Sequence, residues 1–215
     1  MFIQPWDAAL DEAEWRSWIA DGHDFGQLCV NGPPGRPPVA VPTPFSGHAG
    51  DLLVHLARPN PVWTAVENDP HVLLTVFGDY AFIPGPWRAR TGTPPTDGVP
   101  TSYYTAVQFT CRAHIVDDPE AKAELLRRQL AHFQPEGDHA PVAADAPPYG
   151  RMLSGIRDLR LEVTEAVAKF KYDDHKPVEH RSAVADRLTA RGQGLDVPTA
   201  RRQRRRIERV GTWKP

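Results

Sequence analysis

Two side chains that could bind an anion lie where a predicted strand meets a predicted helix. Residues 52–56 are mostly apolar, as in a strand buried on both faces, and Asn60-Pro61 is typical of a helix start. Asn60 is expected to cap the free amides, and His55 and Arg58 lie just before it. Because a cation beside a helix N-terminus attracts anions, the junction predicts a phosphate site. A surface arginine and a buried structural histidine would give the same pattern.

A second set of candidate binding residues lies in the long segment 84–102, which is rich in proline and glycine. Loops of this length in a folded domain are usually functional or disordered. Trp87, Arg88 and Arg90 could stack on a planar anionic ligand and pair with its charge.

The hydrophobic pattern predicts both helices and strands, interspersed along the chain. Helices are expected over residues 7–20 with Asp7 as the cap, from Asp117 to about Phe133 with Leu126, Leu130 and Phe133 buried, and over 149–156, 177–191 and 198–209. Strands are expected at 25–30, 52–56, 71–77, 80–83 and 103–116, at 159–164, and again at 169–172 after a bulge. A turn is expected at Gly78-Asp79. The prolines of 33–44 indicate an edge strand or an extended connector.

Successive strands with helices in the gaps favour an α+β barrel-like sheet over a doubly wound parallel one. The chain has 215 residues and an ordinary apolar content of 40%. Its two cysteines, Cys29 and Cys111, lie in expected strands and indicate small buried thiols. The sequence contains no dinucleotide-binding, P-loop or Gly-x-Ser-x-Gly motif.

The charge of the chain is unevenly distributed. Residues 181–215 hold ten Lys/Arg against three Asp/Glu, whereas the other 180 residues hold fifteen against twenty-four. This predicts a domain over 1–195 and a basic helical tail over 196–215. No apolar run approaches the roughly 20 residues of a membrane span, and the N-terminus does not read as a signal peptide. A cytoplasmic protein with no membrane association is expected.

Five segments, in order, resemble the PaiB-like family, whose members are described as FMN-binding negative transcriptional regulators with a split β-barrel fold. The segments are His55-Leu56-Ala57-Arg58-Pro59-Asn60-Pro61-Val62-Trp63, Gly78-Asp79-Tyr80-Ala81-Phe82-Ile83, Val99-Pro100-Thr101-Ser102-Tyr103-Tyr104, Asp117-Asp118-Pro119-Glu120 and Lys169-Phe170-Lys171. Together they span roughly residues 20–190. The chain departs from the family at Ser102 and Tyr103, where Trp and Asn are usual. It departs again at Tyr172 to His175, where Leu-Ser-Gln-Asn is usual, and in its proline-rich N-terminal third.

The resemblance implies a split-barrel homodimer with flavin mononucleotide (FMN) at the subunit interface. Arg58 would pair with the phosphate, and Lys169 or Lys171 would neutralise a second phosphate oxygen or lie near the flavin edge. Thr101 and Tyr104 could hydrogen-bond the ribityl chain or ring. The candidate cofactor-binding set is therefore His55, Arg58, Asn60, Thr101, Tyr104, Lys169 and Lys171.

Three functions remain open on the sequence. The first is an FMN-dependent oxidoreductase with an unidentified small-molecule substrate, for which no catalytic residue can be named. The second is a haem b enzyme of the piperazate synthase type, a branch of the same family, with His55 as the axial iron ligand. The third is a transcriptional regulator that contacts DNA through the arginine-rich tail, although the acidic body and the lack of a helix-turn-helix argue against specific DNA binding.

Overall fold

The computed structural model describes residues 1–214 and has the expected α+β fold of the split β-barrel type. One sheet contains seven strands: β1 (Phe25–Val30), β2 (Val39–Pro44), β3 (Ser46–His48), β4 (Asp51–Ala57), β5 (His71–Ile83), β6 (Thr101–Val116) and β7 (Ile156–Lys171). Their order across the sheet is β2-β1-β5-β6-β7-β4-β3. Strand β1 pairs antiparallel with β2 and β5, and β4 pairs antiparallel with β3 and β7. The proline-rich strand β2 lies at the sheet edge, as its composition predicted.

Among the described residues, seven helices accompany the sheet: α1 (Glu12–Ala20), α2 (Val62–Asn68), α3 (Gly85–Arg88), α4 (Pro119–Phe133), α5 (Tyr149–Leu153), α6 (Val178–Arg191) and α7 (Asp196–Val210). Short 3-10 turns occur at Pro5–Asp7 and Pro95–Asp97. Within residues 1–214, no helix combines the length and the apolar character that a membrane span requires.

The chain divides into two units, and strands β5, β6 and β7 contribute residues to both. Within the described residues, the first unit comprises 1–21, 77–107 and 167–214, and the second comprises Gly22–Val76 and Gln108–Ala166. The first unit buries the aromatic side chains Trp18, Tyr103, Phe170 and Tyr172 together with Val184 and Leu188 of α6. The second buries Leu28, Val54, Leu74 and Leu159, and the rings of Phe45 and Phe109 lie 6.4 Å apart in its core.

Helix α1 begins later than the sequence pattern predicted. It starts at Glu12, and Asp11 rather than Asp7 is its cap, with the Asp11 carboxylate accepting a hydrogen bond of 2.8 Å from Glu14 N. The prediction that Asp7 caps a helix over 7–20 was therefore wrong. Asp7 lies instead at the end of a separate 3-10 turn, where it is buried.

Strand β5 is continuous where a turn was expected at Gly78-Asp79. Asp79 adopts a left-handed backbone with φ of 51°. Phe77 before it and Tyr80 after it are both exposed although they are three residues apart, so the alternation of buried and exposed residues shifts by one position at Asp79. A single residue of this kind acts as a bulge, which re-aims side chains without ending the strand. Strand β7 likewise runs unbroken from Ile156 to Lys171 through the expected interruption.

Helix α4 begins where expected, with Asp118 accepting a hydrogen bond of 2.9 Å from Ala121 N, but its buried face differs from the prediction. Lys122, Ala123, Leu125 and Gln129 are its buried residues, whereas Phe133 is exposed. Leu126 and Leu130 pack half-buried against a small cluster of Ala123, Val142 and Leu153. Lys122 and Gln129 can be buried here because each donates a hydrogen bond to a backbone carbonyl, Lys122 to Ile156 O and Gln129 to Leu53 O.

The basic tail forms the expected second helix, α7, but much of its charge is neutralised within the first unit. At least five of its six arginines form ion pairs, with Asp11, Glu14, Asp21, Asp79, Asp174 and Asp186 as partners. Arg202 and Arg206 are buried. The helix is thus built into its unit rather than extended into solvent.

Candidate functional site

The seven candidate residues fall into two groups, one in each unit of the chain. Thr101, Tyr104, Lys169 and Lys171 belong to the first unit, and His55, Arg58 and Asn60 belong to the second.

The first group is centred on two lysines near the end of β7. Because side chains two residues apart on a strand point to the same face, Lys169 and Lys171 form a pair of like charges. Their ammonium nitrogens lie 5.6 Å and 5.8 Å from the centre of the Tyr104 ring on β6. Lys171 Nζ donates a hydrogen bond of 2.9 Å to Thr101 Oγ1. The structure therefore brings all four residues of this group together.

This lysine site combines positive charge with an aromatic face and a hydroxyl. The Lys171 ammonium has a neutral partner in Thr101, so its charge is not cancelled by that contact. Lys169 is 8% exposed, and its ammonium donates to Phe2 O at 3.0 Å. Such a site suits a phosphate, because an ammonium group binds phosphate oxygens as a point charge.

Two departures from the PaiB-like pattern hydrogen-bond each other beside this site. The Tyr103 hydroxyl donates a hydrogen bond of 3.1 Å to Asp173 Oδ2, and Arg88 Nε donates to the same oxygen at 3.0 Å. Burial raises the pKa of Tyr103, so its hydroxyl stays protonated and can donate. Arg88 is therefore held by Asp173, and Trp87 is covered by the guanidinium of Arg191 at 4.8 Å.

The next residue, Asp174, joins β7 to the C-terminal helices through buried ion pairs. Its carboxylate accepts hydrogen bonds of 2.7 Å from Arg181 Nη2 and 2.6 Å from Arg206 Nε. Arg206 also donates to Glu14 Oε2 of α1 at 2.7 Å. Asp174 follows Lys171 by three residues, so these ion pairs fix the chain just beyond the lysine site.

In the second unit, His55 is oriented by Gln129 of α4. His55 Nδ1 lies 2.6 Å from Gln129 Oε1, while Gln129 Nε2 donates to Leu53 O at 3.1 Å. Because the amide oxygen of Gln129 faces the ring, Nδ1 carries the proton in the neutral imidazole. The lone pair of His55 is then on Nε2.

Arg58 and Asn60 have structural partners within the same unit. Arg58 Nε donates to Ser154 O at 2.8 Å, and its Nη2 lies 3.5 Å from the Asp117 carboxylate. Asn60 Oδ1 accepts a hydrogen bond of 3.0 Å from Val62 N, but α2 begins at Val62 with Pro61 at its cap position, one residue later than the sequence predicted. Pairing of Arg58 with a phosphate remains a prediction.

Asp158 is a buried carboxylate that the sequence pattern did not single out. It lies directly across the β4–β7 pair from His55 and is 0% exposed. Neither carboxylate oxygen has a hydrogen-bond partner among the described residues. Burial raises its pKa to about 7, while the nearby charge of Lys122 lowers it.

Asp7 is the other functional candidate that sequence reasoning missed. Its carboxylate lies 4.0 Å from Lys169 Nζ. Burial raises the pKa of Asp7 to about 6, against the opposing charges of Lys169 and Lys171. The sequence pattern predicted that Asp7 caps a helix, and nothing in the neighbouring sequence indicates that it lies beside a lysine 162 residues later in the chain.

The donor sets do not form a metal centre. Among residues 1–214, no three His, Cys, Asp or Glu side chains cluster closely enough to hold a metal ion. The chemistry of both groups is thus that of anion binding, hydrogen bonding and a single imidazole.

Comparison with known proteins matches residues 1–165 to a family model described as "Putative FMN-binding domain". The match includes His55, Arg58, Asn60, Thr101 and Tyr104, whereas Lys169 and Lys171 lie just beyond it. No curated protein matches the chain significantly.

Two solved structures share the fold. The flavocytochrome Anf3 from Azotobacter vinelandii is 21% identical, with a TM-score of 0.59 over 77% of this chain and 70% of its own. An FAD and heme binding protein from Mycobacterium smegmatis is 16% identical, with a TM-score of 0.58 over 76% of this chain and 73% of its own. At these identities the likeness establishes the fold alone.

Proposed function

This chain belongs to the family described as "Putative FMN-binding domain", and on that premise we propose that it binds FMN with the phosphate at the lysine site. The observation that carries the proposal is the convergence of Lys169, Lys171, Thr101 and Tyr104 in one unit. All four were candidate cofactor residues on the sequence alone.

The residues of the lysine site fit the groups that FMN presents. Two ammonium groups suit a phosphate that is largely dianionic at neutral pH, and the Thr101 hydroxyl holds the Lys171 ammonium in place by accepting its hydrogen bond. The Tyr104 ring offers an apolar face beside the charges. Arg58 is a weaker candidate for the phosphate, because Asp117 already lies against its guanidinium.

Bound FMN supplies hydride and single-electron chemistry, and the protein contributes binding, orientation and charge. Lys169 and Lys171 hold the anionic end, Thr101 orients the Lys171 ammonium, and Tyr103 with Asp173 fixes the strand ends that carry them. We propose an FMN-dependent oxidoreductase of the PaiB-like branch, acting on a small-molecule substrate in the cytoplasm.

A transcriptional role has less support in this chain. The basic helix α7 was the expected DNA contact, yet Arg202 and Arg206 are buried and paired with carboxylates. Paired, buried arginines cannot neutralise DNA phosphates without first giving up their partners.

A homodimer is part of the proposal. Strand β5 exposes three aromatic side chains within the first unit: Phe77 is 66% exposed, Tyr80 is 55% and Phe82 is 50%. Beyond Asp79, Tyr80 and Phe82 alternate with the buried residues Ala81 and Ile83, so these two rings lie on one face of the strand. A row of exposed aromatic rings on one strand favours contact with a second copy.

Haem b is the second candidate cofactor, and one observation favours it. Gln129 holds the proton of His55 on Nδ1, which leaves Nε2 as the nitrogen able to ligate iron. The oriented imidazole is the arrangement that a haem-binding histidine needs. The same arrangement also suits a purely structural histidine, because Gln129 ties β4 to α4.

The absorption spectrum of the purified protein, before and after titration with FMN and with hemin, tests the two candidates. Twin absorption bands in the near-ultraviolet and the blue support FMN. A Soret band that disappears in His55→Ala supports haem instead. If neither ligand binds, both proposals fail.

A further inference from the structure

The N-terminal segment is held against the strand that carries the lysine site. Ala8 forms an antiparallel bridge with Lys169, and Ala9 N donates to Ala168 O at 3.4 Å. Phe2 O accepts a hydrogen bond of 3.0 Å from Lys169 Nζ, and Ala8 O accepts one of the same length from Arg206 Nη2. These contacts fix the segment at both sides of Asp7.

These contacts place the Asp7 carboxylate beside the lysines, where the protein itself supplies an anion. Its carboxylate lies 4.0 Å from Lys169 Nζ and is 4% exposed. The charged groups that act on it are Lys169 and Lys171 from β7, which favour its ionised form, and Asp173 and Asp174 just beyond β7, which oppose it. The carboxylate is the one acidic group that the fold places in ion-pair range of Lys169 among the described residues.

We propose that Asp7 sets the affinity of the lysine site for phosphate, by acting as the counter-ion of Lys169 when no ligand is bound and taking up a proton when a phosphate arrives. This inference rests on the proposed function and names a residue that tunes it. Two anions cannot share one lysine pair in a buried site without mutual repulsion. The repulsion is relieved when Asp7 is protonated, so binding of the phosphate is coupled to proton uptake.

The pKa of Asp7 makes this exchange accessible near neutral pH. Burial has already raised that pKa to about 6, and a second negative charge raises it further. At pH 7.5 the phosphate of FMN is mostly dianionic when free, and the lysines keep it so when bound. Net proton uptake at pH 7.5 therefore reports on Asp7 rather than on the phosphate.

The first test compares Asp7→Asn with wild type by titrating FMN and riboflavin, which lacks the phosphate. Asp7→Asn is expected to bind FMN about tenfold more tightly at pH 8, with a smaller gain at pH 5 and no change for riboflavin. Asp97→Asn is the matched control, because it removes the same charge from an exposed site in the same unit. Unchanged or weaker FMN binding by Asp7→Asn would overturn the proposal.

The second test uses the wild-type protein and does not depend on a variant folding. Calorimetric titration with FMN at pH 7.5, in buffers of different ionisation enthalpy, is expected to show net proton uptake, and riboflavin should show none. FMN binding without proton uptake would overturn the role of Asp7 while leaving the lysine site intact. Equal affinity for FMN and riboflavin would instead remove the phosphate site, and the proposed function with it.

Discussion

Arg206 of helix α7 donates a hydrogen bond of 2.6 Å to Asp174, and both side chains are buried. The pair joins the C-terminal helix to the chain just beyond the lysine site. Because Arg206 also reaches Glu14 of α1, three separate segments meet at one guanidinium. This network makes the basic helix a structural part of its unit.

Arg206→Met is expected to destabilise the protein strongly. It leaves the buried carboxylates of Asp174 and Glu14 short of a partner, a loss that typically costs about 3–5 kcal/mol. Arg204→Met is the control on the same helix, since its partner Asp186 is 73% exposed and such pairs contribute about 0–1 kcal/mol. Urea unfolding measures both. Equal losses for the two variants would show that the buried network has no special role.

Asp158 is expected to make the protein less stable as the pH rises. Its pKa is raised from 3.8 to about 7 in the folded state, so the native state holds a proton that the unfolded state releases. Stability therefore falls between about pH 4 and pH 7, and the full cost, on the order of a few kcal/mol, applies above pH 7. Asp158→Asn should raise the free energy of unfolding at pH 8 and change it little at pH 4.

Asp145→Asn, at an exposed position in the same unit, is the control for that experiment. It should leave the unfolding curve unchanged at both values of pH. A loss of stability in Asp158→Asn at pH 8 would mean that the ionised carboxylate has a stabilising partner after all.

The sequence pattern located most elements because apolar periodicity survives in the fold. Strand β6 and helices α4, α6 and α7 lie close to their predicted bounds. The sequence pattern predicted Asp7 as the cap of the first helix, but the structure uses Asp11, because a run of acidic residues gives more than one position able to cap a helix. The burial of Lys122 and Gln129 was not predictable, because it depends on carbonyls of Leu53 and Ile156 in other strands.

The candidate site was predictable as a set of residues rather than as an arrangement. The resemblance selected Thr101, Tyr104, Lys169 and Lys171, and the structure places these four together. The resemblance could not show that Tyr103 and Asp173, two positions where the chain departs from the family, hydrogen-bond each other, because these residues lie 70 positions apart in the sequence. The position of Asp7 beside Lys169 depends on the backbone bridge between Ala8 and Lys169, and no local pattern in the sequence indicates that bridge.

Thr101→Val is expected to weaken FMN binding modestly. The Thr101 hydroxyl holds the Lys171 ammonium at 2.9 Å, and its loss leaves the ammonium free to adopt other rotamers. We expect a threefold to tenfold rise in the dissociation constant for FMN, about 0.6–1.4 kcal/mol, and no change for riboflavin. Thr96→Val, at an exposed position, is the matched control. A similar loss for riboflavin would place Thr101 at the ring or ribityl chain instead.

The ratio of riboflavin to FMN dissociation constants, in wild type and in Lys171→Met, tests the central claim most directly. A charge-assisted contact contributes about 1.5–3 kcal/mol, so wild type should prefer FMN by at least tenfold. Lys171→Met should lose most of that preference while binding riboflavin as wild type does. Equal affinities for FMN and riboflavin in wild type, or a preference that survives in Lys171→Met, would contradict the assignment of the phosphate to the lysine site.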